Sequence, residues 1–117
     1  MSILINHNIS ELLNKKMILT ANNFIKSQIQ PASLDLTLSS NCYRIKASFI
    51  PNNKKVSQLI ESLKLSKINL DNENLLEKNC IYLCELNESL NLSNIFSAKS
   101  NPKSTTGRLD IFTRLIT

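Results

Sequence analysis

The sequence predicts one mainly β domain with one or two helices, extending over residues 1–117. Apolar and polar residues alternate in four segments, and this period of two is typical of strands with one buried face. Apolar residues recur every three or four positions in two other segments, as on one face of a helix. Clusters of Asn, Asp, Ser and Pro separate the segments, and neither a repeat nor a low-complexity linker divides the chain. We therefore expect a single domain.

Two helices are predicted from apolar residues at helical spacing. The first has an apolar face formed by Ile9, Leu12, Leu13 and Met17. Asn8, with Glu11 three residues later, resembles a capping box, so we expect this helix to begin at Asn8. The second helix is expected within KVSQLIESLKLSK, residues 55–67. Its apolar face would be formed by Val56, Leu59, Ile60 and Leu63.

Four strands are predicted from the alternation, at residues 31–40, 42–50, 79–86 and 107–117. Turn-forming residues at 39–41, 51–53, 71–74 and 101–106 separate the predicted elements. One side of the last strand would be lined by Leu109, Ile111, Thr113 and Leu115. The alternation continues to Thr117 without a turn signal. We therefore expect either a fragment or a strand edge that a partner covers, because open edges invite aggregation.

The composition is that of an ordinary soluble globular chain, with 42% hydrophobic and 20% charged residues. No apolar run approaches the ~20 residues that a membrane span needs. The N-terminal sequence MSILINHNIS lacks the basic and apolar regions of a secretory signal. We therefore expect a cytoplasmic protein without a membrane partner.

The formal net charge of +5 suits a nucleic acid, a membrane surface or a phosphorylated small molecule as partner. The basic residues are spread thinly and do not alternate with aromatic residues, so a stacking surface for nucleic acid is poorly supported. Cys42, Cys80 and Cys84 form no Cys-x-x-Cys pair, and His7 is the only histidine. A zinc site would need a further carboxylate or water, so we expect free thiols and no protein-bound metal.

The segment NPKSTTGRLD, residues 101–110, contains Gly107, the only glycine of the chain. Two cations and three hydroxyls surround it: Lys103, Ser104, Thr105, Thr106 and Arg108. Backbone N–H groups and hydroxyls in such a turn can converge on an anion, and Arg108 offers a planar fork for phosphate. Gly107 would permit a positive φ or a close backbone approach to a ligand. A plain hairpin or bulge explains the same residues equally well.

Three collinear segments make the sequence recognisable. They are QPASLDLTL at 30–38, NESLNLS at 87–93 and SAKSNPKSTTGRLDIFTRLIT at 97–117. Together they resemble the N-terminal part of bacterial dCTP deaminases, in the long form of that family, which belongs to the dUTPase-like superfamily. The resemblance extends from about Ile29 to Thr117 and covers most of the chain.

The resemblance implies a β-clip or distorted jelly-roll fold and an oligomer, usually a trimer, whose nucleotide pockets are shared between subunits. It implies hydrolytic deamination of dCTP to dUTP and ammonia, a step in dUTP and dTTP biosynthesis. Lys103, Ser104 and Thr105 match positions that contact the triphosphate and hold the base. Ser104 and Arg108 match the active-site serine and arginine. Thr106 and Gly107 complete the nucleotide-binding segment, with Gly107 at a small-residue position.

Asp35 also matches an acidic position that is typical of the family, and we assign it a mainly structural role. Ser33 and Asp35 fit a solvated strand face as well, and the pattern favours that simpler interpretation. Glu88, within NESLNLS, matches a scaffold position.

The chain lacks the signature of zinc-dependent deaminases, which use a His-x-Glu motif and a Pro-Cys-x-x-Cys pair. His7 is followed by Asn8 and Ile9, and no Pro-Cys-x-x-Cys is present. A metal-free route needs a carboxylate general base to activate water, while a serine and an arginine steady the developing charge. Mg²⁺ would then enter as the counter-ion of the triphosphate.

None of the nine carboxylates of the chain occupies a context that matches the family's general-base glutamate, which lies on a later strand. We therefore expect a further polypeptide to supply it, such as a C-terminal partner chain. The alternatives are a catalytically incomplete nucleotide-binding module, a dUTP pyrophosphatase of the same fold, and a small basic nucleic-acid-binding β domain.

Overall fold

The computed structural model of the chain describes residues 2–72 and 75–116. In chain order the elements are α1 Asn6–Asn14, β1 Ile18–Thr20, a short 3₁₀ helix Lys26–Gln28, β2 Leu38–Ile45, α2 Val56–Leu63, β3 Lys64–Asn69, β4 Ile81–Leu86, β5 Glu88–Leu90 and α3 Ser104–Arg108. All strand pairs are antiparallel. The prediction of a mainly β chain is thus confirmed.

The described strands form two antiparallel sheets. β2 is the central strand of a three-stranded sheet with the order β3-β2-β4, while β1 and β5 form a separate ribbon. Cys42 of β2 lies opposite Ile68 of β3 and Cys84 of β4. Because β2 has a partner on both sides, its residues are the best buried of the larger sheet, and Cys42 is fully enclosed.

The hydrophobic core is small and lies between α1 and β1. Ile9 and Leu12 of α1 pack with Ile18 of β1. The half-buried residues around them are Leu4, Leu13, Met17, Ile29, Leu34, Leu92 and Phe96. The buried residues of α1 are thus on the apolar face that the spacing predicts, and their burial against β1 stabilises the helix, since isolated helices of this length are marginal in water.

The described residues expose more surface than a compact monomer would. Their accessible surface is 9493 Å², whereas a compact protein of this mass exposes about 6,400 Å². The radius of gyration is 15.6 Å, against about 13 Å for a compact chain of this length. Far more large hydrophobic side chains are exposed than buried, including Phe112 and Leu75. Contact with further polypeptide would bury such surface.

The polar side chain with the most demanding environment is Gln28, at the end of the 3₁₀ helix. It is the buried polar residue of the described chain, with 8% of its surface exposed. Its Nε2 donates to Glu88 Oε1 at 2.8 Å and to the Asp35 carbonyl at 3.0 Å, and its Oε1 accepts from the Ile25 N–H. The Glu88 carboxylate also accepts from the N–H and the hydroxyl of Thr37. We call these five residues the Gln28 network.

The Gln28 network joins residues 25–37 to β5, whose Glu88 lies 51 positions after Thr37. Glu88 lies in β5, Thr37 immediately precedes β2, and Gln28 ends the 3₁₀ helix. A buried amide or carboxylate without partners is costly, so these groups fix the relative placement of the segments. The scaffold role expected for Glu88 agrees with these contacts.

Both predicted helices are confirmed, with corrected bounds. α1 begins at Asn6, and Asn8 lies inside its first turn, where its Oδ1 accepts from the Ile5 N–H at 3.2 Å. Asn8 is therefore the residue that reaches back to the cap position, and the prediction that it begins the helix was wrong. α2 ends at Leu63, because the backbone from Lys64 onward pairs with β2 and continues as β3.

The two strands predicted at 31–40 and 42–50 are replaced by one continuous strand, β2. The turn predicted at 39–41 is wrong, because Asn41 pairs with Asn69 of β3 inside the sheet. Residues 31–37 lie outside the sheets, apart from an isolated bridge between Leu34 and Ile29. The Asp35 N–H donates to the Gln28 carbonyl, and the Thr37 N–H donates to the Glu88 carboxylate. These backbone groups are therefore not available for pairing with a neighbouring strand.

The strand predicted at 79–86 is confirmed as β4, whereas the one predicted at 107–117 is wrong. α3 occupies Ser104–Arg108, and residues 111–116 form no regular element. A strand needs a neighbouring strand for its backbone hydrogen bonds, and residues 2–72 and 75–116 offer none at this point. Thr117 and part of the turn predicted at 71–74, namely residues 73–74, lie outside the described residues.

We expect Gln28→Met to destabilise the chain by about 2–4 kcal/mol, because it leaves the Ile25 N–H and the Asp35 carbonyl without their side-chain partner and removes one of the three hydrogen bonds to the Glu88 carboxylate. Urea unfolding measures the change. Gln58→Met is the matched control: Gln58 Oε1 also accepts from the N–H three residues earlier, but it is exposed. The control should cost no more than about 0.5 kcal/mol. Equal effects of the two variants would contradict a structural role for the Gln28 network.

The thiols of Cys42 and Cys84 lie 3.4 Å apart across β2 and β4. Burial raises the pKa of the Cys42 thiol from 9.0 to about 12, with the hydrogen bond to Cys84 and the charge of its thiolate adding to the effect. Cys42 therefore stays protonated at neutral pH. Cys84 is half-buried, so it is the more accessible of the two.

We expect a mild thiol oxidant such as diamide to join Cys42 to Cys84 by a disulfide within one chain, the oxidant taking up the two hydrogens. Mass spectrometry of non-reduced tryptic peptides detects the link. Cys84→Ser should abolish it and Cys80→Ser should retain it, because the Cys80 thiol lies against Arg44 Nη2 at 3.1 Å. The opposite pattern would show that the register between β2 and β4 is wrong.

Candidate functional site

Residues 103–108 are called the site segment below. They consist of Lys103 and the short helix α3, Ser104–Arg108, that follows it. The Lys103 carbonyl accepts from the N–H groups of Thr106 and Gly107, at 3.0 and 3.2 Å. The Thr106 carbonyl accepts from Leu109 and Ile111, which closes the helix. The chain turns away at Asp110, whose φ of 59° is left-handed. Ser and Thr residues at the start and the following tight turn are consistent with such a short element.

Gly107 lies inside α3 and does not have a positive φ. A Cβ atom placed on it would meet nothing within 4 Å. The prediction that Gly107 supplies a left-handed turn was therefore wrong, and Asp110 takes that conformation instead. The alternative of a plain hairpin or bulge was also wrong, because the segment is helical. A close approach of the Gly107 backbone to a ligand stays a prediction.

Helical spacing brings Ser104 and Arg108 to the same face of α3, since they are four positions apart. Both side chains are exposed, as is that of Thr105, whereas Thr106 is half-buried. Within residues 2–72 and 75–116, the side chains of Ser104 and Arg108 make no hydrogen bond or ion pair. Their donors are therefore available to a ligand or to another polypeptide.

Lys103 has a defined partner: its Nζ lies 2.7 Å from Asp35 Oδ2. The Asp35 side chain is 29% exposed and that of Lys103 is 61% exposed. Asp35 also lies outside all described strands. The interpretation of Asp35 as part of a solvated strand face was therefore wrong. No sequence signal predicts this pair, since 68 positions separate its members.

The two best-defined concavities among residues 2–72 and 75–116 do not include the site segment. One is lined by Leu4, Asn8, Glu11, Leu12, Lys15, Met17, Ile95 and Phe96, and the other by Asn6, His7, Ser10, Lys26 and Ile29. None of the site-segment side chains lines either concavity, and those of Lys103, Ser104, Thr105 and Arg108 are exposed.

No carboxylate lies within hydrogen-bonding distance of Ser104 or Arg108 in the described part of the chain. Asp35 is engaged with Lys103, and Asp110 is exposed just after α3. Among the same residues, no group of three or more His, Cys, Asp or Glu side chains is close enough to hold a metal ion. The helices of residues 2–72 and 75–116 are each too short or too polar to cross a membrane.

Comparison with known proteins identifies a family and a solved structure that the chain resembles. Residues 1–117 match the family described as the 2'-deoxycytidine 5'-triphosphate deaminase (DCD) N-terminal domain. The chain is also similar to the crystal structure of 2'-deoxycytidine 5'-triphosphate deaminase from Agrobacterium tumefaciens, with a TM-score of 0.94 and 41% sequence identity. That match covers 98% of this chain but only 35% of the Agrobacterium chain. No curated protein matches the sequence.

Proposed function

Because the chain belongs to the 2'-deoxycytidine 5'-triphosphate deaminase N-terminal domain family, we propose that it forms the nucleotide-binding part of a dCTP deaminase. The reaction is hydrolysis of the C4–amino bond of the cytosine ring, which gives dUTP and ammonia and feeds dUTP and dTTP synthesis. The observation that carries the proposal is the 41% identity to a dCTP deaminase over 98% of this chain. Fold alone would not carry it, since one fold hosts many activities.

In this proposal Lys103, Ser104 and Thr105 contact the triphosphate. An ammonium group, two hydroxyls and the first N–H groups of the segment suit phosphate oxygens. Thr106 and Gly107 contribute backbone, and the open space beside Gly107 would allow the nucleotide to lie close to it. Mg²⁺ accompanies the triphosphate as its counter-ion and keeps most of its water ligands.

Ser104 and Arg108 act on the reacting base. Their common face on α3 would present a hydroxyl and a guanidinium to the same point. There the serine can orient the attacking water, and the arginine can stabilise the charge that develops as water adds to C4. A carboxylate general base must remove a proton from that water and later protonate the leaving ammonia. This base would come from polypeptide that faces the site segment.

Assembly with further polypeptide would cover the exposed site segment and supply the general base. The exposed surface of the chain and the exposed position of the site segment both support a pocket shared with another subunit or with the remainder of a longer protein. We propose a homo-oligomer, a trimer as is usual for the family, in the cytoplasm. A second candidate, a nucleotide-binding module without catalysis, is favoured by the lack of a carboxylate beside Ser104 and Arg108 among the described residues.

We expect Arg108→Ala to weaken dCTP binding by about tenfold or more, because one charged, forked donor to the nucleotide is lost. Isothermal titration of the purified chain with dCTP and Mg²⁺ measures the affinity. Arg114→Ala is the matched control, since Arg114 is also exposed and has the same charge. Unchanged dCTP affinity in Arg108→Ala would contradict the proposed site.

We expect the chain by itself to bind dCTP without releasing ammonia, because no carboxylate of the described residues lies within hydrogen-bonding distance of Ser104 or Arg108. Addition of a polypeptide that carries the general base should restore ammonia release, and Ser104→Ala should then lower the rate by about 100-fold. A coupled ammonia assay follows the reaction. Stronger binding of dUTP than of dCTP would favour a pyrophosphatase, and salt-sensitive retention on DNA that dCTP does not compete would favour a nucleic-acid-binding domain.

A further inference from the structure

The site segment is attached to the rest of the described chain at a single polar contact. Within residues 2–72 and 75–116, the ion pair between Lys103 and Asp35 is the one hydrogen bond or ion pair that joins residues 101–116 to the preceding residues. The other hydrogen bonds described for residues 101–116 join two residues of that same range. The orientation of α3 relative to the sheets therefore depends on Asp35 more than on any other polar group of the described chain.

Asp35 is itself held in place on several sides. Its N–H donates to the Gln28 carbonyl at 2.8 Å, and its own carbonyl accepts from Gln28 Nε2 at 3.0 Å. Its Oδ2 accepts from Gln30 Nε2 at 3.3 Å as well as from Lys103 Nζ. Since Gln28 is buried and bound to Glu88, the Asp35 carboxylate is a fixed point rather than a mobile surface charge.

We propose that Asp35 is a positioning residue for the triphosphate, which it serves by holding the Lys103 ammonium and the start of α3 in place. This role rests on the function proposed above. An ammonium group has three donors, so Lys103 can keep one hydrogen bond to Asp35 and direct the other two at phosphate oxygens. A lysine has many side-chain conformations in water, and a fixed partner removes that freedom before the nucleotide arrives.

Asp35 could act on Lys103 in two ways, and removal of its carboxylate would change dCTP affinity in opposite directions for the two. If the carboxylate only neutralised Lys103, its removal would increase the positive charge seen by the triphosphate and would tighten binding. If it positions Lys103, its removal weakens binding of the triphosphate in particular. The sign of the change in dCTP affinity thus separates the two roles.

The first measurement needs no nucleotide. Trypsin cleaves after lysines that are free to enter its specificity pocket, and Lys99 provides an internal reference in the same exposed stretch. We expect Asp35→Asn to raise the initial cleavage after Lys103, relative to that after Lys99, by roughly threefold, the factor that an exposed ion pair supplies. Glu61→Gln, which removes a carboxylate from the surface ion pair with Lys64, is matched in charge and should leave the ratio unchanged.

The second measurement compares dCTP with dCMP, which has the same base and sugar but one phosphate. We expect Asp35→Asn to weaken dCTP binding by roughly threefold to tenfold and to leave dCMP binding unchanged. Asp35→Glu should recover part of the loss, and Asp35→Asn should cost nothing further in a Lys103→Met background. A merely structural role would instead lower the affinity for both nucleotides and persist in that background.

The outcomes distinguish this inference from the proposed function. An unchanged cleavage ratio in Asp35→Asn, or unchanged or tighter dCTP binding while the wild-type chain binds dCTP, overturns the role of Asp35 and leaves the proposed function standing. A wild-type chain that binds no dCTP overturns the proposed function, and the role of Asp35 toward a nucleotide is overturned with it. Increased cleavage together with a loss specific to dCTP supports both.

Discussion

The arrangement of this chain depends on the hydrogen bonds that the buried side-chain amide of Gln28 must make. Its side chain has left water, so each of its donors must find an acceptor inside the protein. The acceptors that it finds are the Glu88 carboxylate and the Asp35 carbonyl, which belong to segments on opposite sides of β2 in sequence. Asp35 in turn holds Lys103. A continuous series of polar contacts therefore connects the interior to the site segment. The small apolar core between α1 and β1 would not by itself set the position of the site segment.

The same constraint explains why the family segments of the sequence are where they are. QPASLDLTL contains Asp35 and Thr37, and NESLNLS contains Glu88, so two of the three recognisable segments meet in the Gln28 network. The third contains the site segment and is joined to the first by Lys103. What looks in the sequence like three separate signatures is, in three dimensions, one connected scaffold that carries the candidate residues of the site segment.

The exposed surface of the chain has a direct bearing on its chemistry. The site segment offers donors, namely the groups of Lys103, Ser104 and Arg108, but within residues 2–72 and 75–116 no carboxylate is hydrogen-bonded to Ser104 or Arg108. The apolar side chains that follow it, such as Leu109 and Phe112, are also exposed. Both the reaction that we propose and the burial of these side chains call for polypeptide on the same side of the molecule. The chain covers 35% of the length of the deaminase that it resembles.

Local periodicity and collinear segments were sufficient to predict the helices α1 and α2, the strand β4, the mainly β class and the family. The candidate residues 103–108 also came from the sequence. Four features required the three-dimensional structure: residues 38–45 form one strand, residues 104–108 form a helix after which residues 111–116 are irregular, Cys42 faces Cys84, and Asp35 holds Lys103. The strand, the cysteine pair and the ion pair each depend on a partner tens of residues away, whereas the hydrogen bonds of α3 are local. A strand or an ion pair exists only where a second segment supplies the opposite hydrogen-bonding groups or charge, and local sequence does not specify which segment that is.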